Sequence, residues 1–154
     1  MPILANPFVQ LHPLAPSHAD ALVQAAADPR TWEMTFPRIN TPDDARQYIR
    51  HALDAPDHQA YAIHSVQHAQ IVGSTRFCKI DRDFGSVEIG YTWLHPMAWR
   101  TPVNTSAKYL LMRHAFEQWN MKRVQLMTDE RNARSRRAIE RLGATCEGIL
   151  RHHA

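Results

Sequence analysis

Apolar residues recur along the chain with two periods, one typical of strands and one typical of helices. Residues 61–66 and 71–77 are β-prone runs separated by a short polar stretch, which predicts two strands joined as an antiparallel hairpin. Residues 87–94 alternate with a period of two and predict a third strand. In a regular strand, one face would carry Val87, Ile89, Tyr91 and Trp93, and the other Glu88, Gly90, Thr92 and Leu94.

Two helix starts are indicated in the first half of the chain. Residues 8–14 predict a short strand, after which a helix begins at Pro16 and continues through residues 19–27, with Ser17 as its N-cap. A stronger start lies at residues 41–44, where a capping threonine precedes a proline and two aspartates. This second helix is expected to run to about Asp54.

The second half predicts alternating strands and helices. After the strand at 87–94 we expect an amphipathic helix over 104–119, a strand over 123–128, a helix over 132–142 that ends at Gly143, and a last strand over 145–150. A helix that connects two strands favours their parallel pairing, here of the strands near Trp93 and Leu126. The pattern therefore predicts an α+β fold with a central mixed sheet flanked by helices.

Length and composition restrict the class of protein. The 154 residues suit one domain, and no repeat or linker divides them, so residues 1–154 are interpreted as a single domain. No apolar stretch approaches the roughly 18 residues of a membrane span and no secretory signal is visible, which favours a cytoplasmic protein without membrane attachment. Cys78 and Cys146 are expected to be free thiols, and no Cys or His spacing indicates a metal ion. The net charge of +3 hints at an anionic partner but is too small to indicate nucleic acid.

The segment between Leu94 and Asn104 is the first candidate for chemistry. It leaves a strand and enters a helix, where backbone N–H groups and the positive end of the helix dipole attract phosphate. Arg100 lies within this segment, and Asn104, Thr105 and Ser106 could each cap the helix and donate to a phosphate oxygen. The alternative is a solvated arginine in front of an ordinarily capped helix.

Three segments together carry a family resemblance: residues 88–94 (EIGYTWL), residues 99–108 (WRTPVNTSAK), and residues 132–135 (NARS) followed by 140–144 (ERLGA). They resemble the GNAT superfamily of acetyl-CoA-dependent N-acetyltransferases, and within it the branch of ribosomal-protein N-terminal (alanine) acetyltransferases. The likeness implies the acyl-CoA N-acyltransferase fold, acetyl-CoA as acyl donor without a metal, and a protein N-terminus or small amine as acceptor.

The resemblance also implies which residues bind the donor. In the family, the loop before the long helix usually reads Gln/Arg-x-x-Gly-x-Gly/Ala and wraps the pyrophosphate; here Trp99 and Pro102 depart from that pattern, and Arg100 could replace the attraction lost with the proline. The cofactor-binding residues implied are Trp93, Leu94, Arg100, Thr101, Val103, Asn104, Thr105, Asn132 and Arg134.

The implied chemistry is direct attack of an amine on the thioester, between the strands that end near Leu94 and Thr128. A backbone N–H at a bulge near Trp93 or Leu94 would stabilise the oxyanion. Many relatives use a tyrosine in the last helix as the acid, but Ile139 stands at that position. The catalytic candidates are therefore Ser135 as acid, Asn132 as a ligand of pantetheine or water, and Glu88 as proton acceptor, with Glu33 in the loop 32–37 as a second acceptor.

Each candidate has a structural alternative. Asn132 could simply cap the last helix, Ser135 could fill its first turn, and Glu88 could be a structural carboxylate paired with an arginine. The arginines around the last helix could face solvent, meet CoA phosphates or contact RNA; they are Arg131, Arg134, Arg136, Arg137 and Arg141.

One departure from the family pattern and two alternative functions complete the expectations. Residues 145–153 suffice for one strand after the last helix, so we expect the C-terminal strands of the family fold to be truncated, which would leave a strand edge open and favour a homodimer through the C-terminal edge. Two other functions stay open: a non-catalytic acyl-CoA-binding module, and a basic RNA- or ribosome-associated protein.

Overall fold

A single six-stranded sheet organises the chain, whose computed structural model describes residues 1–35 and 38–152. The strands are β1 (Leu4–Ala5), β2 (Val9–Pro13), β3 (Gln59–Ser65), β4 (Gln70–Asp81), β5 (Ser86–Leu94) and β6 (Arg123–Leu126). They lie in sequence order, each antiparallel to the one before it except for the last pair, β5 and β6, which is parallel. The predicted hairpin and the predicted parallel pair are both confirmed, and β1 is a strand that the pattern did not predict.

In the described part of the chain, four α-helices flank the sheet: α1 (Ala19–Ala25), α2 (Pro42–Asp54), α3 (Val103–Arg113) and α4 (Ala133–Arg141). The start of α2 is the predicted one, because the hydroxyl of Thr41 accepts the Asp44 N–H at 3.1 Å while the Asp44 carboxylate accepts the N–H groups of Asn40 and Thr41. Those bonds lower the pKa of Asp44. Among the described residues, no helix is both long enough and apolar enough to cross a bilayer.

Two apolar clusters lie on opposite faces of the sheet. One lies under α3 and contains Leu11, Tyr61, Phe77, Ile89 and Leu111 among its fully buried side chains. The other lies under α1 and α2 and contains Leu22, Trp32, Ile49 and Trp93. The sheet is thus buried on both faces, as expected for a sheet flanked by helices.

A bulge in β5 breaks the alternation that the sequence predicts. Ser74 pairs with Trp93 but Arg76 pairs with Gly90, so Tyr91 and Thr92 together stand opposite the single residue Thr75. This pair of residues is the β5 bulge; Tyr91 has a φ of 53° there, in the left-handed region. Because one position of β5 is doubled, the residues after the bulge lie on the faces of the sheet opposite to those that the alternation predicts. Trp93 packs in the cluster under α1 and α2, and Leu94 packs under α3.

The β5 bulge also explains a glycine across the sheet. A Cβ built on Gly73 would lie 2.0 Å from the Trp93 carbonyl oxygen, so β4 can approach the bulged strand only without a side chain there. The bulge and the glycine are therefore parts of one local structure.

One predicted helix start and one predicted strand are wrong. The helix expected from Ser17 begins at Ala19 after a 3₁₀ turn over Pro16–His18, so Ser17 is not its N-cap. The helix expected over 104–119 is confirmed, since α3 begins at Val103 and continues directly into a π-helical turn over His114–Gln118. The strand expected over 145–150 is not formed, because the chain there pairs with no strand in the described part of the protein.

The end of α4 matches its prediction. Gly143 follows the helix with a φ of 89°, the left-handed conformation that glycine adopts most readily. Its N–H donates to the Glu140 carbonyl at 2.9 Å, which satisfies one of the last free carbonyls of the helix.

Candidate active site

The central feature of the site is a gap between β5 and β6. The two strands pair only from Ser86 with Arg123 to Ile89 with Leu126. Beyond these residues, no pairing joins residues 90–94 of β5 to the chain that follows β6 in the described structure. We call this opening the β5–β6 gap. A ligand that lies in it can bond to the backbone groups that β5 leaves without a strand partner.

The segment from β5 to α3 (residues 95–102), the β5–α3 loop, is held by its own hydrogen bonds. The Trp99 indole N–H donates to the Leu94 carbonyl at 3.2 Å. The Thr101 hydroxyl donates to the Ala98 carbonyl at 2.5 Å and accepts the Val103 N–H at 3.3 Å. The loop therefore has a defined shape beside the gap before any ligand binds.

The start of α3 offers free donors. Pro102 is the N-cap and provides no side-chain cap, and the first backbone bond within the helix runs from the Ser106 N–H to the Pro102 carbonyl at 2.9 Å. Asn104 and Thr105 lie in the first turn rather than at the cap, and their N–H groups have no partner among the described residues. The N–H groups of Asn104 and Thr105 therefore lie at the N-terminal end of α3, where the helix dipole attracts an anion.

Arg100 has a backbone conformation that glycine adopts more readily than other residues. Its φ is 59°, in the left-handed region that costs a residue with a side chain about 1–2 kcal/mol. Arg100 is exposed, so its guanidinium is available to an anion at the start of α3. The structure thus brings Arg100, Thr101, Asn104 and Thr105 together at the start of α3, whereas the side chain of Val103 is buried in the core.

The start of α4 lies across the gap from this loop. The side-chain oxygen of Asn132 accepts the Ser135 N–H at 3.1 Å, so Asn132 does cap the helix, as its structural alternative proposes. The Arg134 guanidinium carbon lies 3.5 Å from the centroid of the Trp99 ring, which brings α4 against the β5–α3 loop. Partial burial lowers the pKa of Arg134, while the nearby Glu33 raises it. Phe36 and Pro37 of the loop predicted to overhang the acceptor lie outside the described residues.

Glu88 lies where β5 and β6 are paired, away from the open part of the gap. Its carboxylate accepts from Lys79 Nζ at 2.9 Å and from Gln125 Nε2 at 2.6 Å. The structure thus places it in an ion pair, with a lysine instead of the arginine that the structural alternative expects. This contact joins β4, β5 and β6, and it does not bring Glu88 together with Ser135.

Two buried cations near the β5 bulge were missed by sequence reasoning. The first is Lys108 of α3, whose Nζ donates to the Thr92 hydroxyl. Its side chain is buried, and desolvation lowers the pKa from 10.5 to about 7. A signal was available, because Lys108 stands three and seven residues before the buried Leu111 and Ala115 and so shares their face of the helix.

The second is Arg76 of β4, on the opposite face of the sheet. It is fully buried, its Nη1 lies 3.2 Å from His58 Nδ1, and its guanidinium carbon lies 5.0 Å from the Tyr48 ring and 4.2 Å from the Tyr91 ring. No carboxylate of the described residues pairs with it, and its Nε and Nη2 have no hydrogen-bond partner. A charged residue within a long run of uncharged strand residues was the signal for it.

The two cysteines are free thiols, as predicted, in unlike surroundings. Cys78 is buried with its sulfur 3.8 Å from the Glu88 carboxylate, and burial, followed by the charge of Glu88, raises its pKa to about 12. Cys146 is exposed. Within the described chain, no group of three or more His, Cys, Asp or Glu side chains is placed to hold a metal ion.

Comparisons with known proteins agree with this geometry. A family model described as acetyltransferase (GNAT) domain matches residues 9–145. A GCN5-related N-acetyltransferase from Brucella melitensis is 27% identical, with a TM-score of 0.92 over 99% of this chain and 72% of that chain. A protein from T. thermophilus assigned as an acetyltransferase is 34% identical, with a TM-score of 0.89 over 100% of this chain and 81% of that chain.

A more distant similarity extends to an enzyme of defined substrate. An acetyl transferase from Salmonella typhimurium that modifies the N-terminal serine of a 50S ribosomal subunit protein is 17% identical, with a TM-score of 0.86 over 99% of this chain and 90% of that chain. This likeness concerns the fold alone. A search of proteins with curated descriptions found no match.

Proposed function

The chain belongs to the acetyltransferase (GNAT) family, and on that premise we propose that it transfers an acetyl group from acetyl-CoA to a primary amine, either a protein N-terminus or a small molecule. The predicted fold class is confirmed: the mixed six-stranded sheet with four helices matches known GNAT structures. The observation that carries the proposal is the β5–β6 gap, which opens beside the free N–H groups at the start of α3.

The residues beside the gap suit the two chemical parts of the donor. The N–H groups of Asn104 and Thr105 and the guanidinium of Arg100 would hold the pyrophosphate, because all three provide donors or positive charge at a helix start. The backbone of Trp93 and Leu94 would bond the extended pantetheine, with Asn132 and Arg134 on the α4 side. Pro102 provides no N–H, so this loop offers fewer donors than a glycine-rich one.

Acetyl-CoA supplies an activated thioester, and the chain supplies orientation and charge stabilisation around it. A backbone N–H of the β5 bulge, one to two residues before the predicted position, would face the carbonyl oxygen on which negative charge develops. The Ser135 hydroxyl would donate the proton that the leaving thiolate takes up, because Ile139 has no group to donate. Glu88, the proton acceptor that the sequence predicts, is held in an ion pair with Lys79, and this contact favours a structural role for it.

The acceptor would enter from the face that carries α1 and α2. Trp32, Tyr48 and Trp93 line the apolar cluster on this side, and the indole rings of Trp32 and Trp93 lie 5.1 Å apart. These three rings are buried in that cluster, so they support this face of the sheet from beneath. We further propose a homodimer through the edge of β6, whose single strand neighbour in the described structure is β5. Sedimentation as a monomer at micromolar concentration would contradict the dimer.

Calorimetry with acetyl-CoA tests donor binding. We expect wild type to bind acetyl-CoA and Arg100→Ala to bind it about tenfold more weakly, since a charge-assisted hydrogen bond contributes about 1.5–3 kcal/mol and this one is partly solvated. Arg46→Ala is the matched control, because Arg46 is exposed on α2 and its one ion pair with a described residue is with Asp43. Unchanged affinity in Arg100→Ala would remove Arg100 from the site.

Measurement of turnover distinguishes an acetyltransferase from a module that only binds acyl-CoA. The binding module is the alternative because Pro102 stands in the loop and position 139 lacks a tyrosine. A screen of free-amine peptides and small amines, read by release of coenzyme A, should show thiol release that depends on the acceptor. Tight binding of acetyl-CoA with no release for any amine would instead support the binding module.

A further inference from the structure

The Lys108 side chain points from α3 into the sheet instead of toward solvent. It is 5% exposed, and its Nζ donates to the hydroxyl of Thr92, one of the two residues of the β5 bulge. The helix that begins at the candidate pyrophosphate site therefore also contacts the bulge of the neighbouring strand. Helix α3 thus connects the candidate pyrophosphate site with the β5 bulge.

The contact continues into β4 through a second hydroxyl. The Thr92 and Thr75 hydroxyl oxygens lie 2.8 Å apart, and Thr75 is the fully buried residue that stands alone opposite the bulge. Lys108, Thr92 and Thr75 thus form one hydrogen-bonded chain across α3, β5 and β4. This chain links the bulge to both of its neighbours and restrains the local register.

Burial of the Lys108 amine lowers the stability of the fold. No carboxylate of the described residues lies within ion-pair distance of Lys108, so its charge has no compensating partner. Burial alone accounts for the lowered pKa of the amine. A methionine of similar length would fill the same space without this cost, so packing alone does not explain a lysine here.

The bulge is held on its other face as well. The guanidinium of Arg76 lies 4.2 Å from the ring of Tyr91, the other residue of the bulge. Tyr91 and Thr92 are therefore contacted by one buried cation each, from opposite sides of the sheet. Regular strand residues are held by backbone pairing without such contacts from buried basic side chains. The two contacts therefore indicate that the exact position of the bulge has a role in addition to packing.

We propose that Lys108 is a positioning residue for acetyl transfer, which fixes the β5 bulge through Thr92 so that a backbone N–H of the bulge meets the thioester carbonyl in the β5–β6 gap. This inference rests on the proposed function and adds a residue to it. Lys108 itself contacts neither substrate and takes no part in a covalent step. Its loss should impair stabilisation of the carbonyl oxygen and leave binding of the CoA moiety intact.

Four variants of the full chain test this role. Lys108→Met removes the amine, Thr92→Val removes its acceptor at nearly constant shape, and the double variant tests whether both act through one contact. Lys122→Met makes the same chemical change on an exposed residue of the turn before β6 and serves as the control. The readouts are the Kd for acetyl-CoA, the kcat for the best amine of the screen, and the ¹³C shift of carbonyl-labelled acetyl-CoA bound to the protein.

The carbonyl shift needs no acceptor, so it decides the question even if no amine is turned over. We expect wild type and Lys122→Met to move the bound carbonyl signal downfield, as a hydrogen bond to the oxygen does. Lys108→Met should lose most of that shift and about tenfold or more in kcat, with the Kd within about threefold of wild type. The double variant should be no worse than either single variant, because the two residues act through one hydrogen bond.

A wild-type carbonyl shift and kcat in folded Lys108→Met would overturn the role of Lys108. If that variant does not fold, Thr92→Val decides in its place, and wild-type values there would overturn the role equally. Failure of wild type to bind acetyl-CoA at all is a different result, because it refutes the proposed function itself.

Discussion

Replacement of Lys108 by methionine should make the protein more stable at neutral pH and should change how stability depends on pH. In the native state the pKa of the amine is about 7, whereas its ordinary value is 10.5. Between these values the unfolded chain binds a proton that the folded chain does not, so the free energy of unfolding rises with pH. Methionine has no such proton in either state, so the variant lacks this contribution.

The size of the effect follows from the two pKa values. Each pH unit between them adds about 1.4 kcal/mol to the free energy of unfolding of wild type. Between about pH 7.5 and pH 9 the native amine is mostly neutral and the unfolded one mostly charged. Over this range the free energy of unfolding of wild type should therefore increase by about 2 kcal/mol more than that of Lys108→Met. Tyr61 and Cys78, whose pKa values burial raises to about 12, contribute equally to both proteins and cancel in the difference.

Urea unfolding of both proteins at several pH values in this window measures the difference directly. The m-value should be the same for both, because the same surface is exposed on unfolding. A difference in unfolding free energy that stays constant with pH would show that Lys108 keeps its charge in the native state, and it would refute the argument from burial. Lys122→Met again provides the control and should follow wild type at every pH.

Three further predictions concern residues around the gap. Ser135→Ala should lower kcat about tenfold while the Kd for acetyl-CoA stays constant in calorimetry, and an unchanged kcat would exclude the hydroxyl as the acid. Glu88→Gln should lose the contact with Lys79 and about 1 kcal/mol of stability in urea unfolding while it retains kcat within about threefold; a loss above about a hundredfold would identify Glu88 as the proton acceptor instead. Arg134→Ala should increase the quenching of tryptophan fluorescence by acrylamide, a neutral quencher, because the guanidinium covers the Trp99 ring, and equal quenching in both proteins would contradict that contact.

Much of the fold was predictable because its signals are local. The start of α2 depends on four adjacent residues whose side chains satisfy each other's backbone groups, so residues 41–44 were sufficient. The β3–β4 hairpin and the parallel pairing of β5 with β6 follow from strand-forming runs and from the helix between the last two strands.

The β5 bulge could not be predicted in the same way. Its two residues, Tyr91 and Thr92, fit the period-two pattern as well as their neighbours do, and only the pairing with β4 shows that one position is doubled. The error therefore affected every face assignment after it, including those of Trp93 and Leu94. The strand expected over 145–150 failed for a related reason, because a strand needs a partner that the local sequence does not specify.

The candidate site was predicted in part. Arg100 and the start of α3 could be indicated as candidates because a strand, a loop and a helix start in succession favour anion binding. Ser135 and Asn132 depended on the family resemblance, and their contacts fit a helix cap as well as a catalytic role. Lys108 and Arg76 were missed because a buried cation is rare, and the sequence gives no indication of which hydroxyl or ring will receive it.

The contrast between the two cysteines determines how turnover can be measured. Colorimetric reagents that detect liberated coenzyme A react with any accessible thiolate, so Cys146 will contribute a background of one equivalent per chain. Cys78 should stay silent during the reaction, because its sulfur is enclosed and protonated. Once Cys146 has been blocked by alkylation, any thiol that emerges from the protein must come from Cys78, and its appearance would report that the sheet itself has opened.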